Sequence, residues 1–261
     1  MSPWEKLLEG PHARGHVVQL YDKSDPHSLA ANVSRYLGEG LRRGEGALVV
    51  ATPEHRDLFW RELEKSGIAI LPAVESGQLA FLDAQTTLSR CMAGSQPDWI
   101  AFESVVGAAI GRAWPRDGHT GLRAYGEMVA LLWKSGQLAA AIRLEQLWNR
   151  LLAQSSFSLY CSYEIDVFSK EFHPRPIDAI LRTHTHLVPA QLESDLEAAL
   201  HRAIDDVLGP CPENAKAHNG ARRHRYWALM PTVEAIVLGL REHFPAQADD
   251  ILARARRHCL Q

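Results

Sequence analysis

The 261 residues suffice for one α/β domain of ordinary size with an appendage, and for a sizeable core. With 46% hydrophobic and 23% charged residues the composition is that of a globular protein, and a formal net charge of −3 supplies no general drive toward nucleic acid or an acidic membrane. The four cysteines, Cys91, Cys161, Cys211 and Cys259, form no CxxC pair, and no apolar run reaches the length of a bilayer span, so the expectation is a reduced, soluble, cytoplasmic protein.

Residues 1–14 carry acids and two prolines but no apolar leader, and they are set apart as an N-terminal segment. From 15 to 172 short apolar runs alternate with amphipathic stretches, which predicts βαβ units around a mostly parallel sheet. The candidate strands are HVVQLY, GALVVAT, LAFLDA, LRAYGEMV and FSLYCSY. Helical stretches begin near Ser28, His55, Thr87, Asp98 and Gln137, and Gly44 and Gly67 stand where helices should stop. After Phe172 the strand signals fade, and 173–261 is read as an α-helical C-terminal extension. There Leu192, Leu196, Leu200, Ile204 and Val207 form one apolar stripe, and Trp227, Met230, Val233, Val237, Leu240 and Phe244 form another. Such stripes exceed what a few helices bury alone, which favours a homodimer through these helices over an intramolecular cap.

The stretch LYDKSDPHS stands where a nucleotide-binding protein would carry a phosphate loop. A phosphate loop needs glycines so that successive backbone N–H groups converge, a lysine for charge and a hydroxyl for magnesium. Asp22 to Ser28 contains no glycine, Pro26 has no N–H, and Asp22 and Asp25 put negative charge where an anion would sit. The order of strand, loop and helix resembles the KaiC/RecA-type ATPase core with its phosphate loop replaced. More closely, HVVQLYD, LRRGEGALVVATPEHR, GQLAFLDAQTTL, RAYGEMVALLW and LEQLWNRL resemble the MEDS domain, the methanogen/methylotroph sensory domain named after the dichloromethane-responsive regulator DcmR, over roughly Gly15 to Tyr163. The resemblance implies a RecA/KaiC-like fold and a sensing module coupled to regulators, and it implies nothing about the helices after Phe172.

In an open parallel sheet, ligands bind beyond the carboxyl ends of the strands. That rule collects Tyr21 and Asp22, His55 and Arg56, Asp83, and Tyr125 and Glu127 as the ligand-binding candidates, with Thr52, Gln85 and Tyr163 nearby. Thr52 and Asp83 also read as helix N-caps, and His55 and Arg56 as a solvated first turn. Alternation along RAYGEMVAL places Arg123, Tyr125 and Glu127 on one face, where Glu127 either serves a ligand or pairs with an arginine such as Arg123. Glu145 reads as a residue at the core edge, Trp133 and Trp148 as core, and His184 and His186 in THTHL as a solvated loop. Ser156, Ser158 and Ser162 show no nucleophile motif.

These readings lead to a non-catalytic sensor that takes a small molecule or a regulatory protein partner in a vacated nucleotide cleft, with no cofactor and no metal. A metal- or nucleotide-dependent enzyme using the strand-end carboxylates, and a pure interaction module, are the alternatives. The basic clusters Arg222–Arg225 and Arg254–Arg257 lack a helix-turn-helix signature and read as solvated helix faces, so nucleic acid is not an expected partner.

Overall fold

His16–Tyr21 (β1) and Gly46–Ala51 (β2) are buried at every position. A strand with no solvent-facing alternate belongs inside a parallel sheet covered on both sides, and that is where both lie. The computed structural model describes residues 15–114, 121–170, 172–188, 193–209, 217 and 230–259. Segment 1–14, Leu192, Cys211, Trp227 and the cluster Arg222–Arg225 fall outside the described residues.

With Leu79–Asp83 (β3), Leu122–Gly126 (β6), Ser158–Glu164 (β7) and His186–Val188 (β8), these strands form a six-stranded sheet of order β3-β2-β6-β7-β1-β8, parallel at every pairing. Met92–Ala93 (β4) and Gln96–Pro97 (β5) form a separate small hairpin. On one face, Val17, Tyr21, Val49, Tyr125 and Tyr160 meet the helices Pro26–Arg42 (α1), Pro53–Lys65 (α2) and Ile70–Glu75 (α3). On the other face, Val18, Leu20, Val50, Leu159 and Cys161 meet Ala84–Cys91 (α4), Trp99–Phe102 (α5) with its π-turn Glu103–Gly107, and Ala108–Ala113 (α6). Met128–Lys134 (α7) and Leu138–Gln154 (α8) complete that layer.

Local chemistry sets the helix starts. Asp25, Thr52, Asp83 and Asp98 each accept a bond from a first-turn N–H, and Pro26 and Pro53 open α1 and α2 where a missing N–H costs nothing. Gly44 and Gly67, with φ of 78° and 81°, turn the chain after α1 and α2, as expected. The α/β architecture followed by helices is therefore the one anticipated.

Three details differ from the sequence reading. The sixth strand stops at Gly126, because the Glu127 N–H still reaches the Val50 carbonyl but the chain then coils directly into α7. The segment after Phe172 is not free of strands: β8 pairs with β1, and three residues flanked by His and Thr leave too little alternation to recognise. The tail helices Pro174–Leu181 (α9), Glu193–Leu208 (α10), Thr232–His243 (α11) and Ala248–Cys259 (α12) turn their stripes inward. Leu200, Ile204, Val233, Val237 and Leu240 are fully buried in the core that covers the second sheet face. Those five residues thus make an intramolecular contact with the sheet domain, while Leu196, Val207, Met230 and Phe244 of the same stripes are partly buried. Among the described residues no helix is long and apolar enough to cross a membrane.

Candidate functional site

Connections leaving β1 and β2 go to the α1–α3 face, while those leaving β6 and β7 go to the other, so the loops part above the carboxyl ends of these four strands. Two chambers open there, with Tyr21 in the wall of both.

The first, of about 300 Å³, is centred on Glu127. Glu127 is 4% exposed, and its carboxylate accepts from the Thr52 N–H at 2.8 Å, the Thr52 hydroxyl at 3.2 Å and His55 Nδ1 at 2.8 Å. Thr52 thus serves twice, as the cap of α2 and as a clamp on the carboxylate. The pairing proposed for Glu127 with Arg123 is replaced by the His55 contact. Arg123 instead holds Glu45 at 2.6 Å, buried at the opposite end of β6. The His55 ring stacks on Phe59 and meets Tyr21 edge-on at 5.7 Å. Burial, with Glu127 and Glu164 adding, raises the Tyr21 hydroxyl above the ordinary phenol range, so Tyr21 is a neutral donor. Lys134 and Glu164, paired at 3.1 Å on the rim, were not singled out from the sequence; their signal is only that each lies at or just past an element end.

The second chamber, of about 390 Å³, lies between the loop after β1 and the tail helices. Leu20, Ile165, Val167, Phe168 and Leu196 supply apolar walls, and Gln19, Asp22, Glu234 and Arg256 supply polar points. Arg256 of α12 contacts both Asp166 and Asp22, the latter at 3.5 Å, so the last helix is tied to the strand ends. In the loop itself the Asp22 carboxylate accepts from the Ser24 N–H at 2.8 Å and Asp25 from the Ser28 N–H at 3.1 Å. The Ser24 and Ser28 backbone donors of this loop are thus engaged by acidic side chains.

The structure brings Tyr21, His55 and Glu127 together in one chamber and Tyr21 with Asp22 in the other. Arg56 points outward to Asp57, and Asp83 caps α4 through Thr86, whose bonds hold the Asp83 carboxyl below its ordinary value. Tyr125 is fully buried, its hydroxyl bonded to Ser162 at 2.7 Å and its ring edge-on to Phe59. These three residues line neither chamber.

Two further readings need correction. Glu145 is not at the core edge but fully buried, accepting from the Tyr163 hydroxyl at 2.5 Å. His184 is not in a solvated loop; its side chain is 1% exposed and lies 3.3 Å from Glu145. Helix periodicity placed Glu145 on an apolar face without showing what stood opposite, because its partners come from β1, β7 and the turn before β8.

The family model described as MEthanogen/methylotroph, DcmR Sensory domain matches residues 15–185. No curated protein matches the chain.

Proposed function

The chain belongs to the MEthanogen/methylotroph, DcmR Sensory domain family, and from that membership we propose a non-catalytic sensor that takes a small, largely apolar molecule in the chamber under its tail helices. The observation that carries this reading is the composition of the walls: strand ends on one side, α10 and α12 on the other, with about 390 Å³ between them. That volume lies in the range of small-molecule sites, and apolar walls with a few polar points are the usual form of such sites. Occupancy would be felt by α12, because Arg256 spans from that helix to Asp22 and Asp166. A ligand that favours one placement of α12 shifts the population of placements by its differential affinity, and a regulatory protein partner would read the result. Engagement of the Ser24 and Ser28 amides by Asp22 and Asp25 supports a cleft that has given up nucleotide.

The test is ligand-observed NMR with a library of small organic fragments, on the full chain and on two variants. Leu196→Trp fills the chamber under the tail helices and is expected to abolish fragment binding while the circular dichroism spectrum is retained. Binding that survives Leu196→Trp and is lost in Glu127→Gln would move the site to the chamber around Glu127 and refute this placement.

A further inference from the structure

Four ligand-type side chains meet on the second sheet face, away from both chambers: His16 at the start of β1, Glu145 in α8, Cys161 in β7 and His184 in the turn before β8. Their donor atoms all lie within 4.8 Å of one another, and all four side chains are buried. All four fall within the span matched by the family model.

The spacing is that of a coordination shell. His16 Nε2 stands 3.2 Å from Glu145 Oε2 and 3.3 Å from Cys161 Sγ; His184 Nε2 stands 3.3 Å from Glu145 Oε1, and Cys161 Sγ stands 3.8 Å from Glu145 Oε2. Tetrahedral zinc with nitrogen or oxygen at ~2.05 Å and thiolate sulfur at ~2.3 Å sets its ligand atoms ~3.3 to ~3.6 Å apart. These four separations lie around that edge, and the remaining donor pairs, within 4.8 Å, would draw in on binding.

Proton bookkeeping points the same way. The Asn149 amide donates to the Thr183 carbonyl at 2.7 Å, which turns its oxygen toward His16 Nδ1 at 3.0 Å and requires that nitrogen to carry a hydrogen. The Ile180 carbonyl at 2.8 Å requires the same of His184 Nδ1. As neutral imidazoles, both rings therefore aim a bare Nε2 lone pair at a carboxylate. Tyr163 donates its proton to Oε1, which leaves the single thiol hydrogen of Cys161 to serve two imidazole nitrogens and Oε2. His184 Nε2 indeed has no hydrogen-bond partner. Outer partners that fix Nδ1–H and release Nε2 are the arrangement by which proteins orient metal-binding histidines.

We propose that His16, Glu145, Cys161 and His184 bind one zinc-type divalent cation. A thiolate, a carboxylate and two neutral imidazoles carry two negative charges, so a dication leaves the buried group neutral, where an unbalanced charge would be costly. On binding, the Cys161 thiol releases its proton to solvent and the sulfur becomes a ligand. Four protein ligands leave no open position, which makes the site structural: it fastens β1, β7, α8 and the turn leading to β8, and so secures the tail to the sheet.

The test uses the full chain expressed with zinc available. Elemental analysis after exchange into metal-free buffer is expected to give about one zinc per chain, falling below about a tenth in Cys161→Ser and His184→Ala. Unfolding in chelator and refolding with Co²⁺ should give tetrahedral ligand-field bands and a sulfur-to-cobalt charge-transfer band. Should the variants fail to fold, the wild type still decides through long-range proton–nitrogen spectra of the histidines. Nδ1–H with a metal-shifted Nε2 on both rings upholds the site. A folded wild type that holds no metal, takes up neither Zn²⁺ nor Co²⁺ on refolding, and shows doubly protonated imidazolium rings beside Glu145 overturns it.

Discussion

Two glycines of α1 give opposite predictions for the same substitution. Glycine to alanine inside a helix ordinarily stabilises by about 1 kcal/mol. A Cβ at Gly38 would meet Arg42, Leu63 and Ile68 at 3.5 to 3.7 Å, ordinary contact, so Gly38→Ala should realise most of that gain. A Cβ at Gly40 would stand 2.6 Å from Arg123 Cδ, 2.7 Å from Arg123 Nε and 2.9 Å from Glu45 Oε2. That guanidinium has little room to yield, being 3% exposed, bonded to Glu45 at 2.6 Å and donating to the Tyr36 carbonyl at 2.9 Å. Disrupting a buried pair costs about 3–5 kcal/mol, so after the helix gain Gly40→Ala should lose about 2–4 kcal/mol. Urea denaturation of the two variants beside wild type measures both. A Gly40→Ala protein within about 1 kcal/mol of wild type would mean that Arg123 and Glu45 are not held as described, since the loss expected is at least twice that.

Glu127→Gln keeps an oxygen for the Thr52 N–H and should cost about 1 kcal/mol in urea denaturation, whereas Glu127→Ala strands Thr52 and His55 and should cost about 2–3 kcal/mol; equal costs would contradict the hydrogen-bond assignment. In a Cys211→Ser background, a thiol reagent should modify exposed Cys259 quickly and buried Cys91 slowly. Burial pushes the Cys91 thiol up to about 11, so less thiolate is present at any lower pH and its labelling rate should keep rising with pH toward that value. Equal rates for the two cysteines at pH 8 would refute this. Calorimetry with Mg-ATP should show no saturable binding; micromolar binding abolished by Asp25→Ala would overturn the reading of the loop after β1.

The central strands were legible because Val17, Val18, Val49 and Val50 are β-branched residues in runs bounded by polar turns, and that pattern does not depend on what packs against it. Caps at Thr52 and Asp83 were legible for the same local reason. Tyr125 was not, because its position at a strand end suggested a cleft, while its hydroxyl is taken by Ser162, 37 residues further along. The tail stripes were visible as stripes, but sequence does not say which surface covers them. Glu145 and His184 were each judged against sequence neighbours, whereas the contacts that define them join four separate elements.

The strand order has a consequence for how the chain is made. β1 precedes the other described strands, yet its neighbours are β7 and β8, and the cysteine that faces His16 follows it by 145 residues. Until then β2, β3 and β6 can assemble, leaving β6 as an open edge and β1 as an unpaired apolar segment. Closing such distant pairs is slow, and the waiting intermediate carries the surface most prone to association between chains. Fragments ending before Ser158 should therefore aggregate, because the strand that seats β1 in the sheet has not yet been supplied.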